Sequence, residues 1–262
     1  MYKHCINMEQ KQTIVSKWGN SAGVSVPLAW LGQEVKVLLL DRSTEIKKEV
    51  FDLLKENLED IMGVYLVGSY ARGEQSEDSD IDILAISKTL KKEIISGKYH
   101  ISVYPLESVK KTLKKDPIMI YPRLVEAKPL FNSSLIESLN LAYGSMDFSK
   151  FFQGTKRIIK IDSEILELDK LDGSILKSVD IIYSIVLRLR GMFILKCLVK
   201  GENYSKKLFK RWLSLEIKDF DSEGIYSIYE MIKNNKQVKE DLKIEVAEKL
   251  LNLLKKEVKN RG

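Results

Sequence analysis

Two apolar runs flank a polar loop in the stretch YLVGSYARGEQSEDSDIDILAI, which covers residues 65–86. Short apolar runs bounded by turn residues are typical of buried β-strands. The first run ends in Gly68 and Ser69, and the second begins with Asp80 and Asp82. A small-residue turn and two carboxylates at the ends of neighbouring strands are expected to lie close together. The stretch therefore predicts a functional site as well as two strands.

The residue types of this loop indicate the chemistry of the site. A glycine at the junction of a strand and a helix lets phosphate oxygens approach backbone N–H groups, and the helix dipole favours an anion. Ser69 adds a hydroxyl donor, and Arg72 supplies either a compensating charge or an anchor for the loop. Asp80 and Asp82 are two residues apart on the predicted strand, so both side chains leave one face. Two adjacent carboxylates favour a hard divalent cation such as Mg²⁺.

The stretch GSYARGEQSEDSDIDILAI resembles the signature of the DNA polymerase β-like nucleotidyltransferases, especially the minimal and kanamycin nucleotidyltransferase-like branches. The resemblance covers roughly residues 50–132 and implies a small mixed sheet backed by helices. It implies that Gly68 and Ser69, with Arg72 as a further candidate, hold the nucleotide. Asp80 and Asp82 would be the catalytic residues and hold two Mg²⁺ ions. The implied reaction transfers a nucleoside monophosphate from an NTP, with ATP favoured, to an unknown acceptor.

One position departs from the family pattern. Active members carry a third acid on the next strand, and matching ISVYPLESV to that strand puts Ser102 at its place, with His100 nearby. An imidazole can accept a proton near neutral pH, although the simpler interpretation of His100 is a residue at the strand edge. Glu107 and Glu126 are further candidates, displaced from the expected face. The alternative function is therefore a nucleotide- or DNA-binding regulatory protein, as in a toxin–antitoxin pair, with a degenerate catalytic site.

The hydrophobic pattern divides the chain into residues 1–42, 43–145 and 146–262. The first part alternates apolar and polar residues, the second combines a helical stripe with short strand-like runs, and the third shows helical periods throughout. The predicted fold class is α+β, with a small N-terminal β segment, a mixed sheet with helices and a C-terminal helical bundle. In the middle part we expect a helix from Ser43, strands in GVYLVGS, DIDILAI, YHISVYPL and PRLVEAKPLFN, a Lys-rich turn over residues 88–98 and a helix in ESVKKTLKK.

The N-terminal stretch VSKWGNSAGVSVP resembles the opening of swapped-hairpin DNA-binding domains of the AbrB and MazE type. A segment this short buries too little surface to be stable alone, so it predicts a homodimer, with a further strand in EVKVLLL. DNA is a candidate partner, but Lys17, Lys36 and Arg42 are a sparse set for phosphate contacts. The alternative is an added hairpin that binds no DNA.

Composition restricts the class of protein. The 262 residues are 44% hydrophobic and 31% charged, which is typical of a globular chain, and the net charge of +6 permits an anionic partner. Cys5 and Cys197 are the only cysteines, so we expect a reduced, cytoplasmic protein. The apolar stretch DIIYSIVLRLRGMFILKCLVK contains Arg188, Arg190 and Lys196. These charges argue against a membrane span and for a buried bundle helix.

The C-terminal bundle is expected to face the metal site and to bind the acceptor, as the kanamycin nucleotidyltransferase-like resemblance implies. The stretch RLRGMFILKCLVKGENYSKKLFKRWL mixes basic and aromatic residues, which suits nucleotide or nucleic acid. The simpler interpretation is a solvated charged face over an aromatic core. No motif identifies the acceptor, which can be a small molecule, an RNA or a protein.

Overall fold

The computed structural model describes residues 11, 13, 15–35, 37, 43–76, 79–141, 146–218, 220–238 and 241–260. By its internal contacts the chain divides into two units, Met1–Ile46 and Lys47–Gly262. The predicted α+β class is confirmed, with a small antiparallel sheet near the N-terminus, a mixed sheet and a set of C-terminal helices.

The first unit contains an antiparallel hairpin of β1 (Ser16–Trp18) and β2 (Ser21–Gly23). Gly19 has a φ of +59° and supplies the turn that the WGNSAG pattern predicts. A single 3-10 turn follows at Leu28–Trp30. Most of the predicted strand in EVKVLLL, including Lys36, lies outside the described residues, as does Arg42.

Large apolar side chains of the first unit are exposed to solvent. Trp18 is 58% exposed and Leu28 is 84% exposed, and the same holds for Val15, Val26, Leu31, Val35 and Val37. The described residues of this hairpin region therefore form no hydrophobic core of their own.

The second unit is built on a mixed sheet of five strands among the described residues. These are β3 (Ile61–Val67), β4 (Ile81–Ser87), β5 (Lys92–Ser96), β6 (Tyr99–Pro105) and β7 (Lys128–Phe131). Their spatial order is β5-β6-β4-β3-β7; β4 and β6 run parallel, and the other neighbours run antiparallel. The predicted turn over residues 88–98 is wrong, because β5 lies there. Strand β5 lies at the edge of the sheet and its charged residues are exposed to solvent, so its sequence lacks an apolar run.

Helices pack around this sheet, and their ranges are α1 (Ser43–Leu54), α2 (Gly68–Arg72), α3 (Leu106–Lys115), α4 (Tyr121–Glu126) and α5 (Ser133–Leu141). The helices predicted from Ser43 and in ESVKKTLKK are confirmed. The strand predicted in PRLVEAKPLFN is correct only in its second half, since the first half forms α4 with a proline in its first turn. One sheet face buries Tyr65, Val67, Leu84 and Ile86 against residues of α3, α4 and α5.

The C-terminal bundle consists, within the described residues, of α6 (Ser149–Leu171), α7 (Asp180–Lys200), α8 (Lys206–Glu216), α9 (Ser222–Lys233) and α10 (Ile244–Lys259). As predicted, α7 is the buried helix, and it contributes Ile182, Ile185, Val186 and Leu189 to the bundle core. Of the described helices, none is long and apolar enough to cross a lipid bilayer.

Candidate active site

The register of β3 and β4 places the glycine turn against the second aspartate. Val67, the last residue of β3, lies opposite Asp82. Gly68 follows with a φ of +72°, a left-handed conformation that favours glycine. A Cβ atom at Gly68 would collide with the Asp82 carboxylate. The turn and the carboxylate are therefore in direct contact, and only a glycine fits between them.

The Gly68 turn is held by a carboxylate that comes from α4. The Gly68 N–H donates to Glu126 Oε1 at 2.7 Å, and Arg72 Nη1 donates to Glu126 Oε2 at 2.6 Å. Arg72 Nε donates to Glu74 Oε2 at 3.0 Å. Burial by itself would lower the pKa of Arg72, but the two carboxylates outweigh that effect and raise it. Arg72, predicted to contact the nucleotide, thus already has two anionic partners.

Within the described part of the chain, Ser69 is held in the turn through its backbone and not through its side chain. Its backbone carbonyl accepts a hydrogen bond from the Glu74 N–H at 2.9 Å. Its hydroxyl makes no hydrogen bond with any residue that the structure describes, and the residue is half-buried. The hydroxyl is therefore available to a ligand on this side of the turn.

Only Asp82 of the two aspartates lies on the strand predicted for both. Asp82 lies on β4, whereas Asp80 precedes the strand in an exposed loop, so the prediction that both lie on one strand is wrong. A serine pair holds this loop: the Ser76 N–H donates to Ser79 Oγ at 2.8 Å. Asp80 directly precedes Ile81, the first residue of β4.

The positive charges around Asp82 do not offset the cost of burying its carboxylate. Burial raises the pKa of Asp82, and the nearby Asp80 carboxylate raises it further. Arg123, His100 and Lys233 lower the pKa of Asp82 by their charge without cancelling the effect of burial. Within the described residues, no three His, Cys, Asp or Glu side chains come together as a metal cluster. Two carboxylates alone suit Mg²⁺, which takes its remaining oxygen ligands from water and substrate phosphates.

The place beside Asp82 on the next strand is taken by His100. The parallel register of β4 and β6 pairs Asp82 with His100 and Leu84 with Ser102, so His100, and not Ser102, is the β6 residue directly beside Asp82. His100 Nδ1 lies 3.7 Å from Asp82 Oδ1, and His100 Nε2 lies 3.1 Å from Glu93 Oε2. Because a carboxylate only accepts, Nε2 is the donor in the contact with Glu93, while Nδ1 faces Asp82 beyond hydrogen-bond distance.

Glu93 on β5 also accepts hydrogen bonds from two other residues of β6. Ser102 Oγ donates to Glu93 Oε2 at 3.0 Å, and Tyr104 Oη donates to Glu93 Oε1 at 3.1 Å. The other candidate acids lie elsewhere. Glu107 is exposed on α3 and pairs with Lys110 at 2.9 Å, while Glu126 faces the Gly68 turn.

Comparison with known proteins identifies the family. Residues 47–172 match the family described as the nucleotidyltransferase domain. A protein of Methanocaldococcus jannaschii, provisionally named a protein adenylyltransferase, is 38% identical over 81 residues, which cover 27% of this chain and 78% of that protein. The chain belongs to the nucleotidyltransferase family. It is a nucleotidyltransferase, as the signature predicts. The family match begins at residue 47, so the AbrB-like resemblance of the N-terminal segment stays a prediction.

Two solved structures resemble this nucleotidyltransferase at low identity. A nucleotidyltransferase-like protein from Exiguobacterium sibiricum is 12% identical, with a TM-score of 0.35 over 82% of this chain and 75% of the other. The spectinomycin adenyltransferase of Enterococcus faecialis, solved with ATP and spectinomycin, is 14% identical, with a TM-score of 0.43 over 82% of this chain and 99% of the other.

Three charged residues of the nucleotidyltransferase site were not predicted: Glu93, Arg123 and Lys233. Glu93 lies in the segment interpreted as a turn, and Arg123 in the segment interpreted as a strand. Lys233 is the last residue of α9, far from the motif in sequence. None of the three belongs to a local motif, so only the tertiary fold places them near Asp82.

Proposed function

We propose that the chain is a Mg²⁺-dependent nucleotidyltransferase that uses ATP and transfers AMP to an acceptor hydroxyl. The observation that carries this proposal is the direct contact between the Gly68 turn and Asp82, because one Mg–triphosphate can touch both. The provisional name of the 38% identical relative supports adenylyl as the transferred group. We assign catalysis to residues 43–145 and acceptor binding to the bundle of residues 146–262.

Asp80 and Asp82 hold the metal in this proposal. These two carboxylates would hold Mg²⁺, which would supply positive charge against the negative charge that develops on the phosphates during transfer. Ionised Asp82 is poorly compensated without a cation, as its raised pKa indicates, so a divalent ion relieves an unfavourable charge. Gly68 leaves room for phosphate oxygens beside Asp82, and the Ser69 hydroxyl donates to them.

His100 takes the role of the third acid. In the transfer step the acceptor oxygen bonds to the α-phosphorus, the bond from the α-phosphorus to the β-phosphate oxygen breaks, and pyrophosphate leaves. The acceptor O–H proton moves to His100 Nδ1, and Glu93 stabilises the resulting imidazolium through Nε2. The 3.1 Å contact between Nε2 and Glu93 supports this assignment, since it fixes the tautomer and the ring orientation.

The experiment is label transfer from α-³²P-ATP, with CTP, GTP and UTP in parallel, to small hydroxyl compounds, total RNA or cell protein with Mg²⁺ present. We expect AMP transfer to one acceptor class, and its loss in Asp80→Asn and Asp82→Asn. Glu107→Gln is the matched control, because it removes an exposed carboxylate of the same domain. Tight Mg–ATP binding without transfer to any class would favour the regulatory alternative. Equal transfer by Asp82→Asn and the wild type would contradict the site.

We also propose that the chain is a homodimer formed through the N-terminal hairpin. The exposed Trp18 and Leu28 support this, because a second copy of the hairpin would bury them. Light scattering should give twice the chain mass of 30.1 kDa, and the monomer mass after deletion of residues 1–42. A full-length monomer contradicts the proposal. DNA binding is tested by a gel shift with and without the same deletion.

A further inference from the structure

We propose that Arg72 and Glu74 are positioning residues that fix the helical bundle to the nucleotide turn. This proposal rests on the proposed function. It differs from the expectation that Arg72 is a phosphate ligand, and it assigns a role to Glu74, which no motif predicts. The structural basis is a hydrogen-bonded network that begins at Gly68 and ends on α9.

The first part of the network lies within the sheet domain. Glu126 bridges the Gly68 N–H and Arg72 Nη1, and the Arg72 and Glu126 side chains are only 14% and 12% exposed. Ion pairs this enclosed are poorly screened by solvent, and both partners are needed to avoid an unpaired buried charge. The conformation of the turn is thereby tied to the Arg72 guanidinium.

The second part connects the sheet domain to the bundle. Glu74 Oε1 accepts from Ser205 Oγ at 2.6 Å, and Glu74 Oε2 accepts from both Arg72 Nε at 3.0 Å and the Lys206 N–H at 3.1 Å. Ser205 is the N-cap of α8, so the Glu74 carboxylate lies where the helix dipole favours an anion. The Arg72 guanidinium also lies 5.3 Å from the ring centre of Tyr204.

The charges at this junction are well matched. Burial alone would raise the pKa of Glu74, but the hydrogen bonds from Ser205, Lys206 and Arg72 outweigh it and lower the pKa. The ionised carboxylate is thus the stable form, and it links the N-terminus of α8 to Arg72 of α2.

The third part extends the network from α8 to α9. Lys206 Nζ donates to Glu230 Oε1 at 2.7 Å and lies 4.8 Å from the ring centre of Tyr226. Both partners belong to α9, whose last residue is Lys233. The network therefore joins the Gly68 turn to the helix that carries Lys233.

Lys233 is the reason why this connection matters to the reaction. Its charge acts on Asp82, the carboxylate that contacts the Gly68 turn. A cation there meets the triphosphate only if α9 keeps its distance from the turn. Loss of Glu74 should therefore weaken nucleotide binding without removing a ligand.

The test has two measurements on the full-length protein. Calorimetry gives its affinity for the Mg²⁺ complex of α,β-methylene ATP, a non-reactive analogue, and steady-state kinetics give KM and kcat for ATP. Glu74→Gln should weaken binding about tenfold and raise KM alike, while kcat changes by less than about threefold. Ser205→Ala is a milder change of the same contact and should show a smaller effect in the same direction. Glu248→Gln is the matched control, since its ion pair with Lys170 joins α6 to α10 outside the network.

A double-mutant cycle separates a network from independent contacts. If Glu74 and Glu230 act on one element, Glu74→Gln combined with Glu230→Gln should weaken binding by less than the product of the single effects. Hydrogen exchange without nucleotide adds a ligand-free measurement: Glu74→Gln should speed exchange in both α8 and α9, and Glu248→Gln should not.

Each outcome decides the proposal. Wild-type affinity in Glu74→Gln, or multiplicative effects in the cycle, overturns it. If the wild type binds no nucleotide, the proposed function is contradicted. The positioning role is then decided by hydrogen exchange alone, and unchanged exchange of α8 and α9 in Glu74→Gln overturns it. A purely structural role for Glu74 would lower the melting temperature and leave KM unchanged in the folded protein.

Discussion

Replacement of Gly68 by alanine tests the central contact of the site, and the chain provides its own control. Gly68 and Gly73 bracket α2 with φ values of +72° and +71°. An alanine at either position meets the same left-handed strain, which costs about 1–2 kcal/mol. The two positions differ in their surroundings. A Cβ at Gly73 has no atom within 4 Å, whereas one at Gly68 lies 3.2 Å from both Cβ and Cγ of Asp82 and closer still to the carboxylate.

The Asp82 side chain must therefore leave its position in Gly68→Ala. Moving a side chain off its preferred rotamer costs about 0.5–1.5 kcal/mol. We expect Gly73→Ala to lower the free energy of unfolding by about 1–2 kcal/mol and Gly68→Ala by about 2–3 kcal/mol. Urea denaturation followed by far-UV circular dichroism measures both values.

Mg–ATP provides the functional half of the same experiment. A ligand at 100 times its Kd stabilises the native state by about 2.7 kcal/mol. The wild type and Gly73→Ala should show this gain, and Gly68→Ala should not, because its metal carboxylate is displaced. The reasoning is refuted if Gly68→Ala is no less stable than Gly73→Ala. It is also refuted if Gly68→Ala costs as much in an Asp82→Ala background as in the wild type, since Asp82→Ala removes the carboxylate and leaves only the Cβ contact at 3.2 Å.

Three further predictions concern other residues. His100→Ala should lower the rate of AMP transfer about 100-fold or more with little change in ATP affinity. His100→Asp should retain more activity than His100→Ala. An unchanged rate in His100→Ala excludes a role of His100 in proton transfer. Burial raises the pKa of Asp162, so the wild type loses stability as pH rises from the unfolded pKa through the folded one. Asp162→Asn should therefore melt higher at pH 7 by scanning calorimetry, with a gain that disappears in acid. Lys196→Met leaves the 4% exposed Glu257 without its 2.7 Å partner and should cost about 3 kcal/mol in urea denaturation, most of which a second change, Glu257→Gln, should restore.

Local pattern was sufficient to predict the interior of this fold. The run that becomes β3 is apolar throughout and those of β4 and β6 are mostly apolar, because the central strands β3 and β4 are largely buried on both faces. The helical stripe from Ser43 and the periods of the C-terminal bundle were equally readable. Edge strands were harder to predict, since β5 was missed and β7 was only partly placed; both leave most of their side chains in solvent and so carry no continuous apolar signal.

Only part of the candidate site could be predicted from local sequence. The close approach of Gly68 and Asp82 follows from two runs that are adjacent in sequence and pair as neighbours. The identity of the residue beside Asp82 depends instead on the parallel register of β4 and β6, which is set by packing rather than by any local turn. A shift of one pleat exchanges His100 for Ser102, and no pattern within either strand distinguishes them.

On the proposed mechanism, the register lets a carboxylate on another strand act through His100. In this sheet β6 lies between β4 and β5, so a side chain of β6 beside Asp82 can reach Asp82 on one side and a β5 carboxylate on the other. His100 is long enough to span that gap with its two nitrogens, at 3.7 Å from Asp82 and 3.1 Å from Glu93. A carboxylate on β5 is then connected to the reaction through the imidazole, although it lies one strand too far to act directly. The absence of an acid at Ser102 is therefore compatible with turnover, and Glu93→Gln should reduce transfer less than His100→Ala.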